Sequence, residues 1–190
     1  VKPADIEDVI VGCAFPEGEQ GFNIGRMVAL MSGLPNTVPG CTINRWCGSS
    51  MESVHMAAGR IAAGSGELFI AAGVESMSRI PMGGFNPSPN PDLYESMPGA
   101  YLSMGLTAEN LVKKFNISRK EQEEFALNSH QKAAKADMSS EIIQIIHRKE
   151  TIQKDGCVRA DTSLEKMATL APAFDASGTI TAATSSPVTD

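Results

Sequence analysis

The chain has 190 residues, 42% hydrophobic and 20% charged, with a formal net charge of −6. That balance supports a real apolar core in one large or two small domains and excludes a disordered or fibrous chain. No Lys/Arg cluster suggests a nucleic-acid partner, and no apolar run of membrane length or signal-peptide pattern appears, so a cytoplasmic protein without a membrane span is expected.

Residues 6–14 (IEDVIVGCA) read as a buried strand that ends at small residues. Residues 23–32 read as a helix, with Ile24, Met27, Val28 and Met31 on one face and Gly33 as the stop. Pro35 and Pro39 bound a loop, and residues 41–45 (CTINR) form a short extended run. Residues 48–64 are helical in pattern, with Met51, Val54, His55, Ala58, Ile61 and Ala62 at three- and four-residue spacing. Small residues on the other faces give this segment the profile of a buried helix. Residues 67–74 (ELFIAAGV) are nearly all apolar, as in a central strand covered on both faces. Strand, helix, strand, helix, strand over residues 1–78 predicts a layered α/β domain.

The character changes after Ser78. Residues 81–99 carry five prolines and predict a long irregular segment. Helices are predicted over 107–116 and 118–136, the second opened by a capping box of Ser118 and Glu121. A strand is predicted over 141–147, then a short helix over 162–170 with Thr162 and Glu165 as its box. A turn is expected at Ser177–Gly178. Residues 79–188 thus read as a more polar unit inserted into the first, with 189–190 beginning the return. The start at Val1 and the stop at Asp190 suggest an internal piece of a longer protein.

Four cysteines stand at 13, 41, 47 and 157, with no C-x-x-C pair and no histidine at zinc-ligand spacing. Neither a disulfide framework nor a metal site is expected, and a reducing compartment fits. Cys47 is the cysteine with a chemical reading. It lies in NRWCGSSMESVHMAAG, immediately before the second predicted helix. A helix N-terminus carries partial positive charge and unpaired N–H groups, and the thiolate it favours is the nucleophilic form of cysteine. Gly48 leaves room for substrate, and nearby N–H groups suit an oxyanion. Read from position alone, a buried structural cysteine is favoured over a nucleophile. His55, two helical turns on and on the apolar face, reads as a core histidine rather than a base for Cys47.

NRWCGSSMESVHMAAGRIAAG, followed by a strand and GVESMSRIPM, resembles the thiolase family. So do GCAFPEGEQGFNIGRMVAL, MGLTAENL, ISRKEQEEFALNSHQKAA and LAPAFDASGTITAATSS, in the family's order and across essentially the whole chain. EQGFNIGR and NRWCGSS are most similar to the bacterial degradative 3-ketoacyl-CoA thiolases of fatty acid β-oxidation. The resemblance implies a layered thiolase fold with an inserted loop domain that holds coenzyme A. It implies that Cys47 takes an acyl group from a 3-ketoacyl-CoA, releases acetyl-CoA and passes the acyl group to a second coenzyme A. The Cys47 N–H would contribute to an oxyanion site.

Matched residue by residue, Met104 would lie along the pantetheine, with Phe174, Ala182 and Ser186 lining the same path. Arg159 would meet the nucleotide phosphates, with Lys166 near them. Read without the resemblance, Met104 and Phe174 are core and Arg159 and Lys166 are solvated surface charges. Coenzyme A enters as substrate, and no resident cofactor is implied. A homodimer is implied, as is association with a β-oxidation multienzyme partner.

The family's Gly-His-Pro, late Cys-x-Gly and Asn-Glu-Ala-Phe segments do not occur in these residues, and its first strand is not apparent. The residues by themselves are therefore expected to show no turnover and poor stability, since an incomplete sheet exposes edges. Other readings are a biosynthetic acetoacetyl-CoA thiolase, a ketoacyl synthase, a non-catalytic acyl-CoA-binding chain and a redox sensor acting through Cys47.

Overall fold

A computed structural model describes residues 1–148 and 150–190. The chain divides into two compact units, residues 1–88 with 188–190, and residues 89–187. The sequence reading set these divisions at 78/79 and 188/189.

The first unit is built on three parallel strands, β1 (Asp8–Gly12), β2 (Gly40–Ile43) and β3 (Phe69–Gly73), in the order β2-β1-β3. Two helices serve as the crossovers, α1 (Ile24–Met31) between β1 and β2, and α2 (Ser49–Ala62) between β2 and β3. Parallel strands require such connections, which is why apolar runs and helical periods alternate along residues 1–78.

Strand β1 is central and buried along its whole length. Val9 and Val11 pack with Ala29 of α1 and with Val38, and Ile6, Ile24, Leu34, Ala72 and Val74 close around them. Residues Asp8 and Gly12 serve the opposite face, toward α2. Asp8 forms an ion pair with Arg60 near the C-terminal end of α2, at 2.5 Å, and the Arg60 guanidinium lies 5.8 Å from the Phe69 ring centroid. At the other end of α2, Gly12 and Gly73 are register partners across β1 and β3. A Cβ on Gly12 would overlap the Ser49 backbone, and one on Gly73 would come within 2.6 Å of Ser50 Cβ. Close approach at this end is the reason both positions are glycine.

Two expectations about burial are corrected here. The face of α2 turned inward carries Ser49, Ser53 and Ala57. Met51, Val54 and Ile61 are exposed, Met51 by 67% and Val54 by 54%. His55 is likewise exposed, not a core histidine. A glycine floor admits the helix closely only if the helix presents small side chains, so the larger apolar face lies on the other side. Among the described residues, strand β3 pairs on one side only, with β1, and carries exposed residues in its run.

The second unit contains α3 (Pro91–Ser96), α4 (Met104–Phe115), α5 (Arg119–Lys135), the antiparallel pair β4 (Ile145–His147) and β5 (Glu150–Ile152), and α6 (Leu164–Ala168). The proline-rich segment is less irregular than expected. Pro91 opens α3, and the Asn90 side chain accepts from the Leu93 N–H at 3.0 Å. The Ser118–Glu121 capping box is present at the start of α5. Helix α6 is capped by Ser163 rather than Thr162, because the Ser163 side chain accepts from the Lys166 N–H. Of the strand expected over 141–147, residues 145–147 pair.

Arg119 fixes α6 against α5. Its Nη2 donates to the carbonyls of Met167, Ala168 and Leu170, and its Nε pairs with Glu123 at 2.7 Å. A planar cation is thus spent on the orphan carbonyls at a helix C-terminus. Buried Glu109 of α4 holds the last part of the unit by accepting from the N–H groups of Thr179 and Ile180 at 2.9 and 2.8 Å. No helix among the described residues is long and apolar enough to cross a membrane.

Candidate active site

Cys47 sits between the end of β2 and the start of α2, past the C-terminal edge of a parallel sheet. Side chains in that place face the crevice where open α/β sheets bind ligands. Cys47 is exposed, whereas Cys13 is buried, so Cys47 is available to a substrate rather than packed as core.

The turn that presents Cys47 is tightly determined. Trp46 has φ of 49°, in the left-handed region. A bulky L-residue adopts that conformation at a cost of about 1–2 kcal/mol, so the surroundings must enforce it. The Trp46 N–H donates to Asn44 Oδ1 at 2.8 Å, and its carbonyl accepts from both the N–H and the hydroxyl of Ser49. The Gly48 N–H donates to the Arg45 carbonyl at 3.0 Å, and the Arg45 N–H donates to Ser49 Oγ at 2.9 Å. The Trp46 ring lies 5.2 Å from that of Phe15, and Arg45 pairs with Glu52 of α2 at 2.9 Å. The strand-to-helix turn is sharp, and its left-handed residue stands immediately before the exposed Cys47.

Behind the turn lies a second polar group. Glu75, two residues past β3, accepts from the Ala14 N–H at 2.8 Å, from Gln20 Nε2 at 2.8 Å and from the Cys13 thiol at 3.8 Å. Buried Gln20 also donates to the Phe15 carbonyl and accepts from the Ser76 N–H. Burial, reinforced by the Glu75 charge, pushes the Cys13 thiol from 9.0 to about 11, so Cys13 stays a protonated donor. Asp190 closes the same end of the sheet by accepting from the N–H and hydroxyl of Ser78 at 2.8 and 2.5 Å.

A shallow hollow of about 490 Å³ lies along α2 and β3, lined by Ser50, Met51, Val54, His55, Ala71, Ala72 and Gly73. It begins within the first turn of the helix that Cys47 precedes.

The second unit carries the other residues singled out from sequence. Met104 begins α4 and is exposed; the Phe174 ring rests on Gly105, the next residue, where any Cβ would overlap it. Met104 and Phe174 are thereby brought to one end of α4. Ala182 opens a 3₁₀ turn whose preceding residue, Thr181, bridges to Pro172; Ser186 is exposed four residues on. Arg159 is joined to α5 through its N–H, which donates to His130 Nδ1 at 3.1 Å, and is itself exposed. The Lys166 ammonium is paired with Asp161 at 2.9 Å. Among the described residues, no hydrogen bond or ion pair joins Arg159 or Lys166 to the Met104–Phe174 end. Nor does any group of three or more His, Cys, Asp or Glu among them gather as a metal site.

Sequence reading gave no role to Asn44, Gln20 or Glu75. Asn44 had a usable signal: an Asn side chain that bonds the N–H two residues on is a recurrent turn device. The long-range partners of Gln20 and Glu75 leave no local pattern.

Residues 1–190 match the family described as thiolase, N-terminal domain. The 3-ketoacyl-CoA thiolase of Saccharophagus degradans is 46% identical over all of this chain and 51% of its own length. The protein of the same name from Bacillus subtilis is 41% identical over 98% of this chain and 52% of its own length. The crystal structure of the Bacillus anthracis acetyl-CoA acetyltransferase superposes with a TM-score of 0.79 at 36% identity, covering 96% of this chain and 51% of that one. The chain spans about half the length of these relatives. With the parallel α/β unit, the sharp turn before α2 and the family match over residues 1–190, the chain belongs to the thiolase family.

Proposed function

We propose that the full-length protein is an acetyl-CoA C-acyltransferase that cleaves 3-ketoacyl-CoA with coenzyme A in fatty acid β-oxidation. The observation that carries this reading is the exposed thiol of Cys47, mounted on a determined turn at the N-terminus of α2. The relatives at 41% and 46% identity bear the name 3-ketoacyl-CoA thiolase, which favours the degradative direction over acetoacetyl-CoA synthesis.

In the proposed reaction the Cys47 thiolate adds to the C3 carbonyl, and the oxyanion is met by N–H groups at the start of α2, that of Cys47 among them. The C2–C3 bond breaks, its electron pair leaves on the acetyl-CoA fragment, and that carbanion is protonated. The shortened acyl group remains on Cys47 as a thioester. The thiolate of a second coenzyme A attacks it, and the Cys47 thiolate is released. The proton transfers belong to the histidine and second-cysteine motifs of the family, which these 190 residues do not contain. Coenzyme A is a substrate, and the reaction calls for no resident cofactor.

The unit over 89–187 is proposed to hold coenzyme A, with Met104, Phe174, Ala182 and Ser186 along the pantetheine. The Arg159 guanidinium and the Lys166 ammonium would serve the phosphates, Lys166 after exchanging its Asp161 partner. A cytoplasmic homodimer, with a β-oxidation multienzyme partner, completes the proposal. The test is to mix the full-length protein with a 3-ketoacyl-CoA in the absence of free coenzyme A. The expected result is an acyl adduct on the peptide containing Cys47, absent in Cys47→Ala. Acyl label elsewhere, or none, would sink the reading.

A further inference from the structure

We propose that Asn44 is a positioning residue that locks the Cys47 turn to the end of the neighbouring strand. The inference rests on Cys47 being the acyl-accepting nucleophile. Asn44 faces two ways. Its Oδ1 accepts from the Trp46 N–H at 2.8 Å, holding the residue before Cys47 in its left-handed conformation. Its Nδ2 donates to the Ala14 carbonyl at 2.9 Å, just past β1. The Ala14 N–H in turn donates to Glu75 Oε2 at 2.8 Å, just past β3. A line of hydrogen bonds therefore runs from the end of β3, across the end of β1, to the turn after β2.

Each bond in that line fixes a different degree of freedom. The Oδ1 bond sets the local twist of the turn. The Nδ2 bond sets where the turn stands over the sheet. Residues 44–47 are exposed among the described residues, and the turn is held chiefly by hydrogen bonds. An Asn is the residue that supplies both a donor and an acceptor on one short planar side chain. Asp keeps the acceptor and sets a carboxylate against the Ala14 carbonyl; Ala removes both. The turn thus separates presentation of the thiol from its chemistry: a small reagent can find Cys47 wherever the turn stands, but an acyl-CoA held at a distance cannot.

The experiment uses the full-length protein, unaltered and as Asn44→Ala and Asn44→Asp. Three quantities are read: acyl transfer from a 3-ketoacyl-CoA to Cys47, alkylation of Cys47 by iodoacetamide resolved by peptide mass, and kcat with KM in steady state. Both variants are expected to lose about ten- to a hundred-fold in acyl transfer and kcat. Alkylation of Cys47 should stay within about two-fold and KM should change little, because the thiol remains exposed and the acyl-CoA contacts are untouched. Wild-type acyl transfer in Asn44→Asp overturns the role of the Nδ2 bond, and wild-type transfer in both variants overturns the proposal. Equal loss of alkylation and acyl transfer also overturns it, since a collapsed turn or unfolded chain would act on both alike. Should Asn44→Ala fail to fold, Asn44→Asp, which retains the turn's internal bond, decides. No acyl adduct in the unaltered protein would instead remove the nucleophile reading, and this inference with it.

Discussion

Gly12 and Gly73 stand opposite each other in β1 and β3, and the first turn of α2 rests on both. Their missing side chains set the height of the helix that carries the proposed nucleophile. The two sites differ in what an added methyl meets. Gly12→Ala strikes the Ser49 and Ser50 backbone, which cannot rotate away, whereas Gly73→Ala meets Ser50 Cβ at 2.6 Å. Overpacking of this kind costs about 1–3 kcal/mol. Gly12→Ala is expected at or beyond the upper end and Gly73→Ala nearer the middle, read from denaturant midpoints. Both should also lower acyl transfer to Cys47 more than the lost stability explains, because the helix N-terminus is lifted. Equal, small effects at the two glycines would show that α2 does not depend on this seat.

The same contact explains what the sequence concealed. Strand β1, helices α1 and α2, the Ser118 box and the cysteine before a helix were all legible, because hydrophobic period, caps and the NRWCGSS motif are local signals. The orientation of α2 was not. Its period marks Met51, Val54 and Ile61 as the inward face, while Ser49, Ser53 and Ala57 are the residues buried. That choice is made by Gly12 and Gly73, well before and well after the helix start at Ser49, which no helical window contains. The order β2-β1-β3 was hidden for the same reason. Glu75 and Gln20 were hidden because, apart from the Gln20 bond to Phe15, their partners lie 55 to 62 residues away. At the candidate site the position of Cys47 before a helix was legible and its supports were not read, although the bond from the Trp46 N–H to Asn44 had left a local signal.

Arg119 is expected to matter more to the second unit than its partly exposed position suggests. Removing it leaves the Glu123 carboxylate, whose side chain is 8% exposed, without its cation. It also leaves the carbonyls that end α6 without their shared donor. Breaking a buried pair in this way costs about 3–5 kcal/mol, tempered here because the arginine itself is 28% exposed. Arg119→Ala should therefore destabilise residues 89–187 by about 2–3 kcal/mol. Arg119→Lys should recover less than half of that, since an ammonium cannot replace the guanidinium fork. Hydrogen exchange at Met167 and Leu170 is the direct check, and full protection in Arg119→Ala would contradict it.

The Gly105–Phe174 contact gives a prediction about binding. A side chain at 105 would displace the Phe174 ring from the end of α4 where Met104 lies. Gly105→Ala is expected to weaken coenzyme A binding by the full-length protein about ten-fold, the scale of losing one well-formed apolar contact, with little change in Cys47 alkylation. Titration calorimetry with coenzyme A measures it. Unchanged affinity would separate this face from the pantetheine path.

Cys13 and Cys47 should differ in reactivity, since one is buried and the other exposed. Cys13 is buried and held near 11 by desolvation and by Glu75. Cys47 is exposed. Iodoacetamide at pH 8 is expected to label Cys47 at least about tenfold faster than Cys13, because Cys13 is buried and keeps its proton. The same shift acts on stability. Between pH 9 and 11 the unfolded chain has lost the Cys13 proton and the folded chain keeps it, so folding binds a proton and stability falls as pH rises. Below pH 9 both states hold the proton and the effect vanishes. Glu75→Gln removes the charge, lowers the Cys13 value toward 9 and narrows this window from above. Denaturant midpoints at pH 8, 9, 10 and 11, compared between the unaltered chain, Cys13→Ala and Glu75→Gln, measure it. A loss of stability above pH 9 that persists unchanged in Cys13→Ala would assign it to another group.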